Sequence, residues 1–171
     1  MPDLVPQERL QPALLDRLID DDPTNQRPEP PERRVLNRAK LRAAVLRDLS
    51  WLFNATNHGS GPAFAGAPHV ASSVVNFGLP PISGKTASTL DIHDLEKLIR
   101  EAILRFEPRI LPETLDVHSV MAQDVLNWHN VVSIEIRGAL WAQPVPLELL
   151  LRTDVDLETG EILVRDVTRG G

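Results

Sequence analysis

Val132-Ser133-Ile134-Glu135-Ile136-Arg137-Gly138-Ala139-Leu140-Trp141 decides the fold. Val132, Ile134, Ile136, Gly138 and Leu140 alternate with Ser133, Glu135, Arg137, Ala139 and Trp141, a period of two that predicts a strand with one dry and one wet face. Upstream, Leu115, Val117 and Ser119 alternate with Asp116, His118 and Val120; downstream, Val145, Leu147, Leu149 and Leu151 repeat the pattern. Glu158-Thr159-Gly160 reads as a hairpin turn joining Leu149–Asp156 to Glu161–Val167, with Gly160 taking the left-handed position.

Before Leu111-Pro112 the period is helical. From Asp91 to Phe106 the residues Leu95, Leu98, Ile99, Ala102, Ile103 and Phe106 fall on one apolar face. Asp91 is placed to cap the first turn, Asp94 and Glu96 suit the positive end of the dipole, and Arg100 and Arg105 lie nearer its negative end. Pro108 disfavours helical geometry at Glu107 and ends the helix. A longer helix is predicted over Arg33–Phe53, with Leu41, Val45, Leu49 and Leu52 or Phe53 on the buried stripe and Arg34, Arg38, Arg42 and Arg47 largely off it. Between these helices runs a loop rich in glycine and proline, and Ser72–Phe77 predicts one or two helical turns before Gly78-Leu79-Pro80-Pro81. Helices first and an antiparallel sheet after define an α+β fold, with N-terminal helices packed on a C-terminal antiparallel sheet.

Residues 1–32 form a predicted arm: a short amphipathic helix from about Pro12 to Ile19, then a stretch carrying Pro23, Pro28, Pro30 and Pro31 that favours extended geometry. The helix either serves as a docking arm or folds back on its own domain. Residues 33–171 form a single domain, and a chain of 171 residues is long enough to bury a sizeable core.

The formal charge of −6 and the scatter of Arg33, Arg34, Arg38, Lys40 and Arg42 around a helix argue against a nucleic-acid partner; a solvated helix face is expected. No cysteine occurs, which excludes thiolate chemistry and disulfides and fits a cytoplasmic setting. The first residues lack the cationic start and apolar run of a cleaved signal, and no apolar run reaches the ~20 residues that span a bilayer.

Catalytic patterns are weak. Gly78-Leu79-Pro80-Pro81-Ile82-Ser83-Gly84-Lys85-Thr86 ends like a phosphate-binding loop, but five residues separate its glycines and two prolines supply no N–H. The five histidines show no metal-ligand spacing, and no cofactor or metal is expected. Ser60 is not on a nucleophile elbow. Asp91, Glu101, Glu107 and Glu113 are candidates for a carboxylate pair in glycoside hydrolysis, though each reads more simply as a cap or surface charge. Trp51, Trp128 and Trp141 are read as core or interface residues. Phe106-Glu107-Pro108-Arg109 remains: either a polar knuckle offered to a partner, or a helix end with a local surface ion pair.

Four strings, in order, carry a resemblance: Leu10-Gln11-Pro12-Ala13-Leu14-Leu15-Asp16-Arg17-Leu18, Leu46-Arg47-Asp48-Leu49-Ser50-Trp51-Leu52-Phe53-Asn54, Ser73-Val74-Val75-Asn76-Phe77-Gly78-Leu79-Pro80 and Phe106-Glu107-Pro108-Arg109. With the β-rich tail, they resemble TssE, a baseplate wedge subunit of bacterial type VI secretion similar to contractile-phage sheath initiators once labelled lysozyme-like. The loop from Thr56 to Ala67 matches no motif of that family. The resemblance implies a non-enzymatic scaffold that joins TssF and TssG and starts polymerisation of the TssB–TssC sheath. It implies that Glu107, Pro108 and Arg109 bind the wedge core. Sheath strands would add to a sheet edge, either Leu115–Val120 or Leu163–Arg165. A peptidoglycan hydrolase is the alternative, prompted by the old label.

Overall fold

The structure, a computed structural model, describes residues 13–18, 38–59, 66–67, 69–82, 92–120 and 131–168. A five-residue helix, α1 (Leu14–Leu18), precedes α2 (Arg38–Asn54). A 3-10 turn at Val74–Asn76 leads toward α3 (Ile92–Phe106), and a second at Pro112–Thr114 leads into the strands β1 (Asp116–Ser119), β2 (Val131–Leu140), β3 (Leu147–Asp156) and β4 (Ile162–Asp166). All neighbouring strands are antiparallel, in the order β1-β2-β3-β4. The α+β expectation is met: helices first, then one antiparallel sheet.

The central pair sets the register. β2 and β3 match over their whole length, from Val131 opposite Asp156 to Leu140 opposite Leu147. One-residue slippage would turn Ile134, Ile136, Leu149 and Leu151 to water, so burial of that face pins the pairing. α2 lies toward β4 and α3 toward β1. Their buried stripes, Leu41, Val45, Leu49 and Leu52 from one and Leu95, Ile99 and Ile103 from the other, meet the sheet in one continuous core. The opposite face is wet, with Arg137 paired to Glu135 at 2.6 Å and Arg165 to Asp154 at 2.8 Å.

Several expectations need correction. Val145 is exposed and lies outside β3, because the chain is still turning there. Of the two uses read for Trp51 and Trp141, core or interface, both being half exposed removes the core one. Arg42 is not simply solvated: it donates to the Glu148 carbonyl at 2.7 Å and meets Asp166 at 3.4 Å, tying α2 to β3 and β4. The Asp91 cap, Trp128, Ser60, the start of the long helix at 33–37 and the proline-rich stretch lie outside the described residues.

The segment after α2 is closed by side chains. Asn76, 3% exposed, accepts the His58 N–H at 2.9 Å and donates to the Gly59 and Ala71 carbonyls. Gly78 has φ +117°, and a Cβ there would collide with the Ala55 carbonyl. The Leu79 N–H donates to that carbonyl at 2.9 Å.

Candidate functional site

The C-terminal end of α3 carries the predicted knuckle, and the backbone shows why it holds its shape. The Glu107 N–H closes the last helical turn on Ile103 at 2.8 Å, and the Ile110 N–H returns to the Glu107 carbonyl at 3.2 Å. The Arg109 carbonyl then accepts the Trp141 N–H at 2.7 Å, while Leu111 donates to Ala139 at 2.9 Å. The corner is thus clamped between helix and sheet. A Cβ at Gly138 would stand 3.4 Å from Ile110, so this segment crosses close over β2.

The reading of the corner as a local surface ion pair is corrected. Glu107 is not a surface residue: it is 3% exposed, and both its oxygens are taken by Arg109, whose Nε lies 2.7 Å from Oε1 and whose Nη2 reaches Oε2. The Arg109 N–H also donates to Oε1 at 3.1 Å. Pro108 alone is exposed at the tip. A buried carboxylate held bidentately by a guanidinium fixes the turn geometry and presents Pro108 and the rim of Arg109 outward.

The pair extends into a ladder of alternating charge. Arg109 Nη2 reaches Asp48 on α2 at 2.6 Å, and Asp48 accepts from Arg47 Nε at 2.9 Å. Arg47 Nη2 lies 2.8 Å from Asp16 of α1, and its guanidinium stands 5.2 Å from the Trp51 ring centroid. Burial by itself would lower the pKa of Arg109, but hydrogen bonding and charge at Glu107, then Asp48, outweigh it and hold it above the ordinary guanidinium value. Arg47 shifts the same way: Asp48 and Asp16 outweigh its burial.

An open groove of about 480 Å³ runs beside the ladder, lined by Leu15, Asp48, Trp51, Phe77, Phe106 and Pro108 among others. Phe77 and Phe106 meet edge to face at 5.2 Å. The four strings that carry the sequence resemblance, separated by up to about 90 positions, therefore each supply residues to this one groove.

A family model described as baseplate wedge protein gp25 matches residues 39–145. The chain belongs to that family. TssE is its type VI homologue, so the resemblance in the sequence is met at family level. Searches of curated proteins and of solved structures find no match. A member of the gp25 family has a structural role in a baseplate, and this member assembles with other baseplate subunits.

Sequence reasoning singled out Glu107, Pro108 and Arg109, and the structure brings all three together. It missed Asp16, Arg47 and Asp48, although all lie inside the quoted strings. Their signal was a charge lodged among apolar positions: Asp16 between leucines, Arg47 and Asp48 between Leu46 and Leu49. Asn54 and Glu96 were also missed as edge-capping residues. Asn54 donates to the Ile162 carbonyl and accepts its N–H, and Glu96 accepts the Ser119 N–H at 2.6 Å.

The proposed carboxylate pair gains no geometry. Glu107 has both oxygens engaged, Glu101 and Glu113 are exposed, and Asp91 lies outside the described residues. Among the described residues no group of three His, Asp or Glu could hold a metal ion, and no helix is long and apolar enough to cross a membrane.

Proposed function

We propose that this gp25-family member is the TssE-type wedge subunit of a type VI secretion baseplate, contacting TssF and TssG through the Glu107-Pro108-Arg109 corner. The observation that carries the reading is the buried Glu107–Arg109 pair, which makes the corner a rigid feature instead of a loose surface ion pair. Rigid presentation lowers the ordering cost of docking. The exposed Pro108 and the half-exposed Trp51 flank a groove with a preformed charge ladder, the mixture of aromatic, apolar and arginine surface found at interface centres. The role is structural rather than enzymatic, in a cytoplasmic assembly, and needs no cofactor.

The second task of the reading is to start the TssB–TssC sheath by strand addition, and the two edges of the sheet are unequal for it. The N–H groups of Glu161 to Asp166 alternate in direction: the Glu161 carbonyl faces β3, so Ile162, Val164 and Asp166 face outward. Asn54 occupies the outward groups of Ile162, which among the described residues leaves Val164 and Asp166 as the open stretch of β4. On β1, Glu96 takes the outward Ser119 N–H and Val117 is buried, leaving less edge to pair. β4 is therefore the favoured acceptor.

Co-purification tests the first task and sheath growth the second. Pro108→Asp and Trp51→Ala in the full chain should keep the melting temperature and weaken capture of TssF and TssG; full capture by both variants removes the groove from the account. Val164→Pro removes an outward N–H and no ladder bond. It should block sheath growth while the fold persists, and unchanged growth would count against β4.

A further inference from the structure

α1 is held to the body in an unusual way. Leu14 and Leu18, four residues apart on one face, are 71% and 73% exposed, so the helix does not dock by its leucine stripe. It is held by Asp16, whose side chain is 10% exposed and lies against Arg47, and by Ala13 and Leu15 at the groove wall. Five residues are too few to form a stable helix alone, so this seat sustains α1.

The seat is also underfilled. Among the described residues Asp16 Oδ2 and Arg109 Nη1 are buried without a hydrogen-bond partner, while Arg47 Nη2 is ion-paired at 2.8 Å to both Asp16 and Asp48. Buried ionic atoms left unpaired disfavour the state that contains them. Open groove remains between Leu15 and the Phe106–Pro108 wall.

We propose that α1 is a displaceable occupant of a helix socket on Arg47, and that the socket's external ligand is a leucine-bearing helix of a partner protein whose carboxylate replaces Asp16. This rests on reading the corner as a docking surface and adds the chemistry of what docks. A partner helix is favoured over α1 of a second copy because an identical helix cannot outcompete one tethered in the same chain, where the effective concentration is of order millimolar. A longer helix with a bidentate carboxylate can, by pairing with Arg47 in place of Asp16, reaching the Arg109 Nη1 that has no hydrogen-bond partner among the described residues, and filling the open groove. Arg47 is pre-set for this by Asp48 on one side and Trp51 beneath it.

The test uses the full chain and a fluorescent peptide of residues 11–21 as the incoming helix. Asp16→Asn in the protein weakens the tethered competitor, so the peptide should bind that variant about tenfold or more tighter than the parent. Adding Arg47→Ala to Asp16→Asn should abolish the gain. Hydrogen exchange at residues 14–18 should be faster in Asp16→Asn than in the parent. Equal peptide affinity for parent and Asp16→Asn, or a gain that survives Arg47→Ala, overturns the socket. Light scattering on the parent should show a monomer; a dimer dissociated by Asp16→Asn would transfer the socket's occupant to a second copy and overturn the partner assignment. Capture of TssF and TssG is measured separately, so loss of the peptide result leaves the wedge reading standing.

Discussion

The Asn54 side chain pairs with the outer edge of β4 as the backbone of a neighbouring strand would: its Nδ2 donates to the Ile162 carbonyl at 2.8 Å and its Oδ1 accepts the Ile162 N–H at 3.0 Å. Nδ2 also donates to the Ser50 carbonyl at 2.8 Å, which fixes its direction at the end of α2. A helix terminus thus plugs one position of a sheet edge and sets where an added strand can begin.

Replacing Asn54 with alanine should therefore expose both Ile162 backbone groups. We expect a loss of about 1–3 kcal/mol in denaturant midpoint analysis, because two hydrogen bonds disappear at a partly buried site. The Ile162 amide should exchange faster, and unchanged exchange would show that Asn54 does not guard this edge.

Arg109→Ala should destabilise the domain by about 2–5 kcal/mol, since it strands Glu107 in a buried position. Asp48→Ala, which removes a carboxylate about one quarter exposed, should cost less. Pro108→Ala should fall within about 0.5 kcal/mol, as expected for an exposed position. Chemical denaturation of the three variants checks the order. Equal stabilities would mean that the corner is a surface pair after all.

The acid limb of stability should depend on Glu96. Burial alone would raise its pKa, but the Ser119 N–H, and then His93 at 3.1 Å, outweigh it and hold the carboxyl below its ordinary 4.5. A group whose folded pKa is depressed contributes fully above its unfolded value and loses that contribution as pH falls through the folded one. Parent stability should thus decline below about pH 4.5, and Glu96→Gln should flatten that decline. Identical acid limbs in melts from pH 6 to 3 would remove the Ser119 link from the explanation.

Gly78→Ala should cost about 1–3 kcal/mol, because φ +117° suits only glycine and the added methyl meets the Ala55 carbonyl. Gly66→Ala is the control, since a Cβ there meets nothing within 4 Å among the described residues. A melting-temperature difference between the two variants too small to measure would contradict the tight crossing after α2.

The sequence by itself determined the order of helices and strands, the dry face of Val132–Leu140 and the hairpin at Gly160, because periods of 3.6 and two and a required positive φ are local properties of the chain. It singled out Glu107, Pro108 and Arg109 as a candidate corner, but not that Glu107 is buried, since burial depends on what α2 and β2 place around the end of α3. Val145 shows the same limit: its alternation matched a strand, yet the turn after β2 left it outside. Only the tertiary structure decided that Asp16, Asp48 and Arg109, far apart in sequence, share one ladder. Packing of three helices and a sheet brings those charges within bonding distance, and no local pattern encodes that meeting. Folding likewise decided that Asn54 and Glu96 each plug a different sheet edge.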